Sequence, residues 1–135
     1  MAAQFHLEII TPTKVYDEGD VDYLRAPGAD GAFGVMAGHT DSIMALSVGE
    51  IKVVKGSVET SYASTKGFAE ITKDRVQLLV ESAEPGADID LKRAQEAYDR
   101  AKDHLDKKHE EMQDELRALR ALERSMNRLK VADKK

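Results

Sequence analysis

Cysteine is absent from the 135-residue sequence, so neither a disulfide framework nor a thiolate metal site is available. Aromatic residues make up only 5% of the chain, which leaves few rings for stacking on bases, and the formal net charge of -5 weighs further against nucleic acid as a partner. No window reaches the roughly 18 apolar residues of a membrane-spanning helix. The opening MAAQFHLEIITPTK lacks a basic segment followed by a long apolar run. A soluble intracellular protein is expected, with one ordinary domain or a small domain plus an appendage.

Constellations for catalysis are equally sparse. The four histidines are His6, His39, His104 and His109, and none pairs with another at the i, i+4 spacing that puts two imidazoles on one helix face. The stretch GADGAFGVMAG holds Gly28, Gly31, Gly34 and Gly38, but no Lys-Ser/Thr pair follows, so it is not a phosphate-cradling loop. Those glycines suit a tight turn and a strand that passes close to a neighbouring backbone. No active site, no metal site and no required cofactor are read from the sequence.

What is present divides near Pro85 and Gly86. Before that point apolar residues alternate with polar ones: Phe5, Leu7 and Ile9; Val21 and Tyr23; Ile51 and Val53; Val58 and Tyr62; Val76, Leu78 and Val80. This is the period of strands with one buried face. Turn-like clusters separate the runs (TPTK, APGADG, AGHTDS, KGS and TKDR) at the spacing of an all-β sandwich or barrel. No long helical pattern interrupts them, which argues against parallel βαβ units. Residues 1–86 are therefore expected to form an antiparallel β-sandwich.

After Gly86 neither glycine nor proline occurs. Leu91, Tyr98, Leu105, Met112, Leu119 and Met126 fall seven residues apart, the signature of a helical seam. The companion positions read Ala94, Ala101, Lys108, Glu115, Leu122 and Leu129, so the seam fails in its middle, where DKKHEEMQDE is polar enough for a turn. Two structures fit residues 87–135: a hairpin that folds back near Lys107 to Glu110, or one helix of roughly 40 residues and about 60 Å. The same segment ends in a basic tail, since residues 117–135 carry seven basic and two acidic side chains. An acidic protein surface or an anionic ligand suits such a tail, as does plain solvation.

The stretch AEPGADIDLKRAQEA sits at the boundary and brings Glu84, Asp90 and Arg93 close together in sequence. Asp88 or Asp90 suits a helix start, where a carboxylate accepts free backbone N–H groups and meets the positive end of the helix dipole. Capping does not account for Arg93.

Taken together, the Ala-Glu pair closing the β region, GADGAFGVMAGHTDSIMAL, the Ile-Asp-x-x-Arg-Ala helix start and the closing ERSMNRLKVA resemble the epsilon subunits of bacterial F-type ATP synthases over essentially the full length. The resemblance implies a central-stalk subunit whose β-sandwich binds the gamma subunit and the c-ring. It implies a two-helix hairpin able to extend toward the alpha/beta catalytic head and inhibit ATP hydrolysis, and a peripheral position on the cytoplasmic side of the bacterial inner membrane. It assigns Asp30, Gly31, His39, Thr40 and Ser42 to partner contacts. It also implies ATP as a regulatory ligand held by Glu84, Asp90 and Arg93 with Arg100, and by Arg124 and Arg128 from the second helix. Guanidinium forks suit phosphate oxygens, and acids accept from adenine and ribose donors. Two positions depart from the family: Met36 and Ala37 precede Gly38-His39 where many relatives have proline, and Ala32 stands where many carry an acid. A non-enzymatic β-sandwich adaptor with a coiled-coil interaction tail, without a nucleotide role, is the alternative reading.

Overall fold

The computed structural model describes residues 3–107 and 112–132. The chain divides into two compact units, Met1–Pro85 and Gly86–Lys135.

The first unit contains ten strands: β1 (Phe5–Ile10), β2 (Val15–Val21), β3 (Tyr23–Gly28), β4 (Gly31–Val35), β5 (Ser42–Leu46), β6 (Gly49–Lys55), β7 (Val58–Ser64), β8 (Gly67–Ile71), β9 (Arg75–Val80) and β10 (Ala83–Pro85). They join in the order β10-β7-β6-β3-β5-β8-β9-β1-β2, with β4 beside β3. All neighbours but one pair are antiparallel, as the short turns require for the hairpins β1–β2, β3–β4, β6–β7 and β8–β9. The exception is β1, which lies parallel to β9 because the chain returns to its own first strand only after the other strands are laid down.

Alternation decides the core. Phe5, Leu7 and Ile9 are buried on β1, Ile51 and Val53 on β6, and Val76, Leu78 and Val80 on β9, the positions their spacing predicts. Two expectations shift. A bend at Asp22 resets the phase after Val21, so Leu24 and Ala26 rather than Tyr23 enter the core. The Asp22 side chain holds that bend by accepting the Gly56 N–H at 2.6 Å. Val58 opens β7 at the hairpin tip and stays 62% exposed. The two ends of the strand order meet side to side, since Tyr16 of β2 packs edge-on against Tyr62 of β7 and the Tyr62 hydroxyl donates to Glu18. The sheet is thus wrapped into a sandwich around one core.

The second unit begins with a short 3-10 helix (Gly86–Asp88), followed by α1 (Leu91–Asp106) and α2 (Met112–Ala132). Asp90 caps α1: its backbone is extended, and its carboxylate accepts the Arg93 N–H at 3.1 Å. At the other end Lys107 leaves the helix with extended backbone, so α1 stops there and the two helices pack along each other. The hairpin, rather than one long helix, is the form observed. Beyond Lys107 the expected fold-back to Glu110 lies outside the described residues, as does His109.

The buried seam of this hairpin differs from the heptad of large residues. Ala94 and Ala101 are buried on α1, and Ala118, Ser125 and Ala132 on α2, whereas Leu91, Met112, Leu119 and Met126 are all more than 40% exposed. A seven-residue count carried across a chain break no longer follows one helix face, and each helix takes its own phase. Small residues seven apart let two helix axes approach closely. They leave Met112, Leu116, Leu119 and Met126 on an uncovered side of α2.

Candidate functional site

The outward face of the β5, β8, β9, β1 and β2 half of the sandwich carries an apolar row where alternation would place polar side chains. Ala45 stands opposite Phe68, Phe68 opposite Leu79, Leu79 opposite Ile10, and Ile10 opposite Val15. Phe68, Leu79 and Val15 are 58%, 41% and 55% exposed, and Ile43 extends the patch along β5 at 77%. Between the row and the loops lies an open groove of about 650 Å³, lined in part by Ile10, Pro12, Leu46, Phe68 and Leu79. Gly67 belongs to its floor. A Cβ there would meet the Leu79 carbonyl oxygen at 2.0 Å, so only glycine lets β8 lie this close to β9.

The next row along the same face is acidic. Glu70, Gln77, Glu8 and Asp17 follow one another across β8, β9, β1 and β2, and Arg75, His6 and Asp20 form the row beyond. Arg75 reaches Glu8 at 2.5 Å and Gln77 reaches it at 3.2 Å. The Arg75 guanidinium, then the Gln77 amide, hold the Glu8 carboxyl below the ordinary carboxylate range. An apolar stripe beside an acidic border suits a docked protein whose own apolar ridge is flanked by lysine or arginine. The sequence reading did not find this surface. Its signal was an apolar residue at the outward position of five different strands.

The five residues assigned to partner contacts fall in two places. Asp30 and Gly31 form the exposed tip of the β3–β4 hairpin, where Gly28 pairs with Gly31 and Gly31 has a φ of 131°. His39, Thr40 and Ser42 lie in and just after the β4–β5 connection. There the Thr40 carbonyl oxygen gathers two groups, the Ser42 hydroxyl donating at 2.8 Å and the His39 Nδ1 at 2.7 Å. The Gly38 N–H donates to the Lys73 carbonyl oxygen at 3.1 Å, which ties the connection to the β8–β9 turn. Ala32, Met36 and Ala37, the departures from the family pattern, follow in β4 and the same connection. Met36 is 63% exposed.

Of the residues assigned to ATP, Glu84 lies in β10, where it pairs with Ala63 of β7. The others belong to the second unit. Asp90 and Arg93 are joined through the helix cap, so the Asp90 carboxylate already serves the backbone. Arg93 and Arg100 are exposed two turns apart on α1. Arg124 is exposed and Arg128 half-buried, four residues apart on α2. Two arginines at that spacing share a helix face and can reach one polyphosphate.

Residues 4–86 match the family described as ATP synthase, Delta/Epsilon chain, beta-sandwich domain, and residues 87–133 match ATP synthase, Delta/Epsilon chain, long alpha-helix domain. The chain belongs to this family. It is 40% identical over 132 residues to the ATP synthase epsilon chain of Nitratidesulfovibrio vulgaris (strain DP4), with 97% of each chain covered. With the ATP synthase epsilon chain of Desulforamulus reducens it shares 38% identity over 133 residues, covering 98% of this chain and 100% of that one. Among solved structures, the fold resembles a chain of the Euglena gracilis mitochondrial ATP synthase, OSCP/F1/c-ring, with a TM-score of 0.82 at 22% identity over 94% of this chain and 80% of that one. A chain of the Tetrahymena thermophila mitochondrial ATP synthase central stalk and c-ring aligns with a TM-score of 0.66 at 13% identity, covering 97% and 98%. Both of these likenesses are of fold. Among the described residues, no helix is long and apolar enough to cross a membrane.

Proposed function

We propose that this ATP synthase family member is a central-stalk subunit: its β unit docks on the gamma subunit and the c-ring, and its helical hairpin restrains ATP hydrolysis by the alpha/beta head. The observation that carries the reading is the apolar row from Ala45 to Val15 with its acidic border, a prepared docking face on the unit that the family description calls a β-sandwich domain. The hairpin tips at Asp30 and Gly31 and the His39–Ser42 segment supply further partner contacts. The subunit works on the cytoplasmic side of the bacterial inner membrane, held there by its partners, and catalyses no reaction itself. Support for a mobile hairpin comes from the uncovered apolar side of α2, which can meet a new partner when the helices separate.

Ending the chain at Gly86 tests the division of labour. The shortened protein should still bind gamma and join the complex, and hydrolysis by that complex should rise above that of the full-length form. Failure to bind gamma, or unchanged hydrolysis, contradicts the reading. A chain that binds its partners through the hairpin alone would instead favour the adaptor with a coiled-coil tail.

ATP enters the same proposal as a ligand that stabilises the hairpin through Glu84, Asp90, Arg93, Arg100, Arg124 and Arg128. A ligand held by both helices favours the folded form by RT ln(1 + [ATP]/Kd), about 2.7 kcal/mol at a hundredfold excess over Kd. That is enough to move a nearly balanced switch. Calorimetry of the full-length protein should show ATP binding, and Arg93→Ala and Arg124→Ala should each weaken it about 10-fold or more, the scale of one charge-assisted hydrogen bond. Asp90→Ala loses the cap as well, at about 1 kcal/mol. Absence of heat at millimolar ATP removes the sensing role, and binding that survives both arginine changes moves the site elsewhere.

A further inference from the structure

The strand β2 does not run evenly beside β1. His6 pairs with Asp20, Leu7 with Gly19, and Glu8 with Asp17, so Glu18 is an extra residue in the ladder, and Gly19 takes a φ of 69° to accommodate it. In an even strand Asp17 and Asp20, three residues apart, would point to opposite faces. The bulge turns Glu18 inward, where it accepts the Tyr62 hydroxyl, and brings both aspartates to the outward face with His6 and Glu8.

His6 there sits between carboxylates. Its Nε2 is 2.9 Å from Asp17 and its Nδ1 3.9 Å from Asp20. One ligand atom each from His6, Glu8 and Asp17 fall within 4.8 Å of one another, the one such group among the described residues. The acids are held from behind: the Gly19 N–H donates to Asp17 at 2.9 Å, and Arg75 and Gln77 both donate to one oxygen of Glu8. Three carboxylates therefore surround the imidazole, and among the described residues the cation paired to them is Arg75.

The geometry points to a binding site for a borderline divalent transition ion such as Zn²⁺, with His6 Nε2, Asp17 and Glu8 as ligands and the Asp20 carboxylate behind them, on the Nδ1 side of the imidazole. Nitrogen with two carboxylates is a donor set for zinc and its neighbours, and it leaves a coordination position to water. A carboxylate behind the non-ligating ring nitrogen fixes the tautomer and aims the other nitrogen at the ion. Mg²⁺ gains little from an imidazole, so it is discriminated against. A bound ion would pin the terminal strand β2 to β1 at the point where the bulge interrupts their ladder, on the border of the docking face. This site does not depend on the docking or hairpin roles.

Calorimetry of the untagged, EDTA-treated full-length chain with ZnCl₂ and with MgCl₂ tests it, together with the visible absorption of the Co²⁺ form and the melting temperature against Zn²⁺ concentration. One Zn²⁺ should bind per chain and raise Tm. His6→Gln and Asp17→Asn should each weaken binding about 100-fold, and Asp20→Asn about 10-fold, the effect of losing a group behind a ligand. His104→Gln on α1 should leave it unchanged. All of these side chains are exposed enough that the variants keep the fold. No stoichiometric Zn²⁺ binding, Mg²⁺ binding as tight as Zn²⁺, or Zn²⁺ affinity that survives both His6→Gln and Asp17→Asn would each overturn the assignment.

Discussion

Replacing Phe68 by glutamate should leave the β unit folded and weaken its binding to the gamma subunit by about 100-fold or more. Phe68 is 58% exposed on β8, so the substitution removes no core contact, and the fold has little to lose. In a docked complex the same position lies near the middle of the row, between Ala45 on one neighbour and Leu79 on the other. Aromatic residues at the centre of an interface carry a large share of its binding energy, about 2 kcal/mol or more each when truncated. A glutamate adds the cost of burying a charge, and the acidic row at Glu70, Glu8 and Asp17 offers it no compensation. Val58→Glu is the control: it changes an equally exposed valine on β7, in the other half of the strand order, and should alter binding less than twofold. Binding of gamma to immobilised full-length variants reads both. Equal losses from the two substitutions would show that the row is not the docking face, and an unaffected Phe68→Glu protein would remove the row from the interface.

The way this face escaped the sequence reading follows from what alternation encodes. Period two says which residues of a strand share a side, and β1 was legible because Phe5, Leu7 and Ile9 are all buried there. It does not say which strands lie side by side. Phe68 and Leu79 are each the one apolar residue on the outward side of their strand, unremarkable until the pairing of β8 with β9 sets them against each other. The cluster at His6 was hidden for a related reason, because only the Glu18 bulge brings Asp17 and Asp20 to one side. Local chemistry carried further in the helices. Asp88 or Asp90 was readable as a cap because a carboxylate before an amphipathic segment has a defined task, and the structure gives that task to Asp90, which accepts from Arg93. Of the seam, the companion positions Ala94 and Ala101 are buried as their spacing predicts, whereas the count carried past the break does not give the buried Ala118, Ser125 and Ala132 of α2, since periodicity persists only as long as one helix does.

Cysteines at Ala94 and Ser125, oxidised to a disulfide, should abolish restraint of ATP hydrolysis without preventing assembly. Both positions are buried small residues on the packed sides of α1 and α2, and they stand at steps that differ by one residue from the ends of the two helices that face each other in sequence, as do Ala101 and Ala118. That near-symmetry sets Ala94 and Ser125 in facing layers of the hairpin, where closely approaching helices bring Cα atoms into the range of about 4.4–6.8 Å that a disulfide spans. On a straight extended helix the same two positions would be about 45 Å apart, at 1.5 Å per residue. The bond therefore admits the hairpin and excludes extension. In the reconstituted complex the oxidised variant should hydrolyse ATP at the rate of the form ending at Gly86, and reduction should restore the slower rate. High ATP, which favours the hairpin in the proposed scheme, should release the wild-type complex in the same direction but leave the oxidised variant unchanged. If the oxidised protein restrains hydrolysis as strongly as the reduced one, the hairpin acts without opening. If the two cysteines fail to join under oxidation, the facing layers are wrongly assigned, and the exposed leucines and methionines of α2 must be covered by some other arrangement of the two helices.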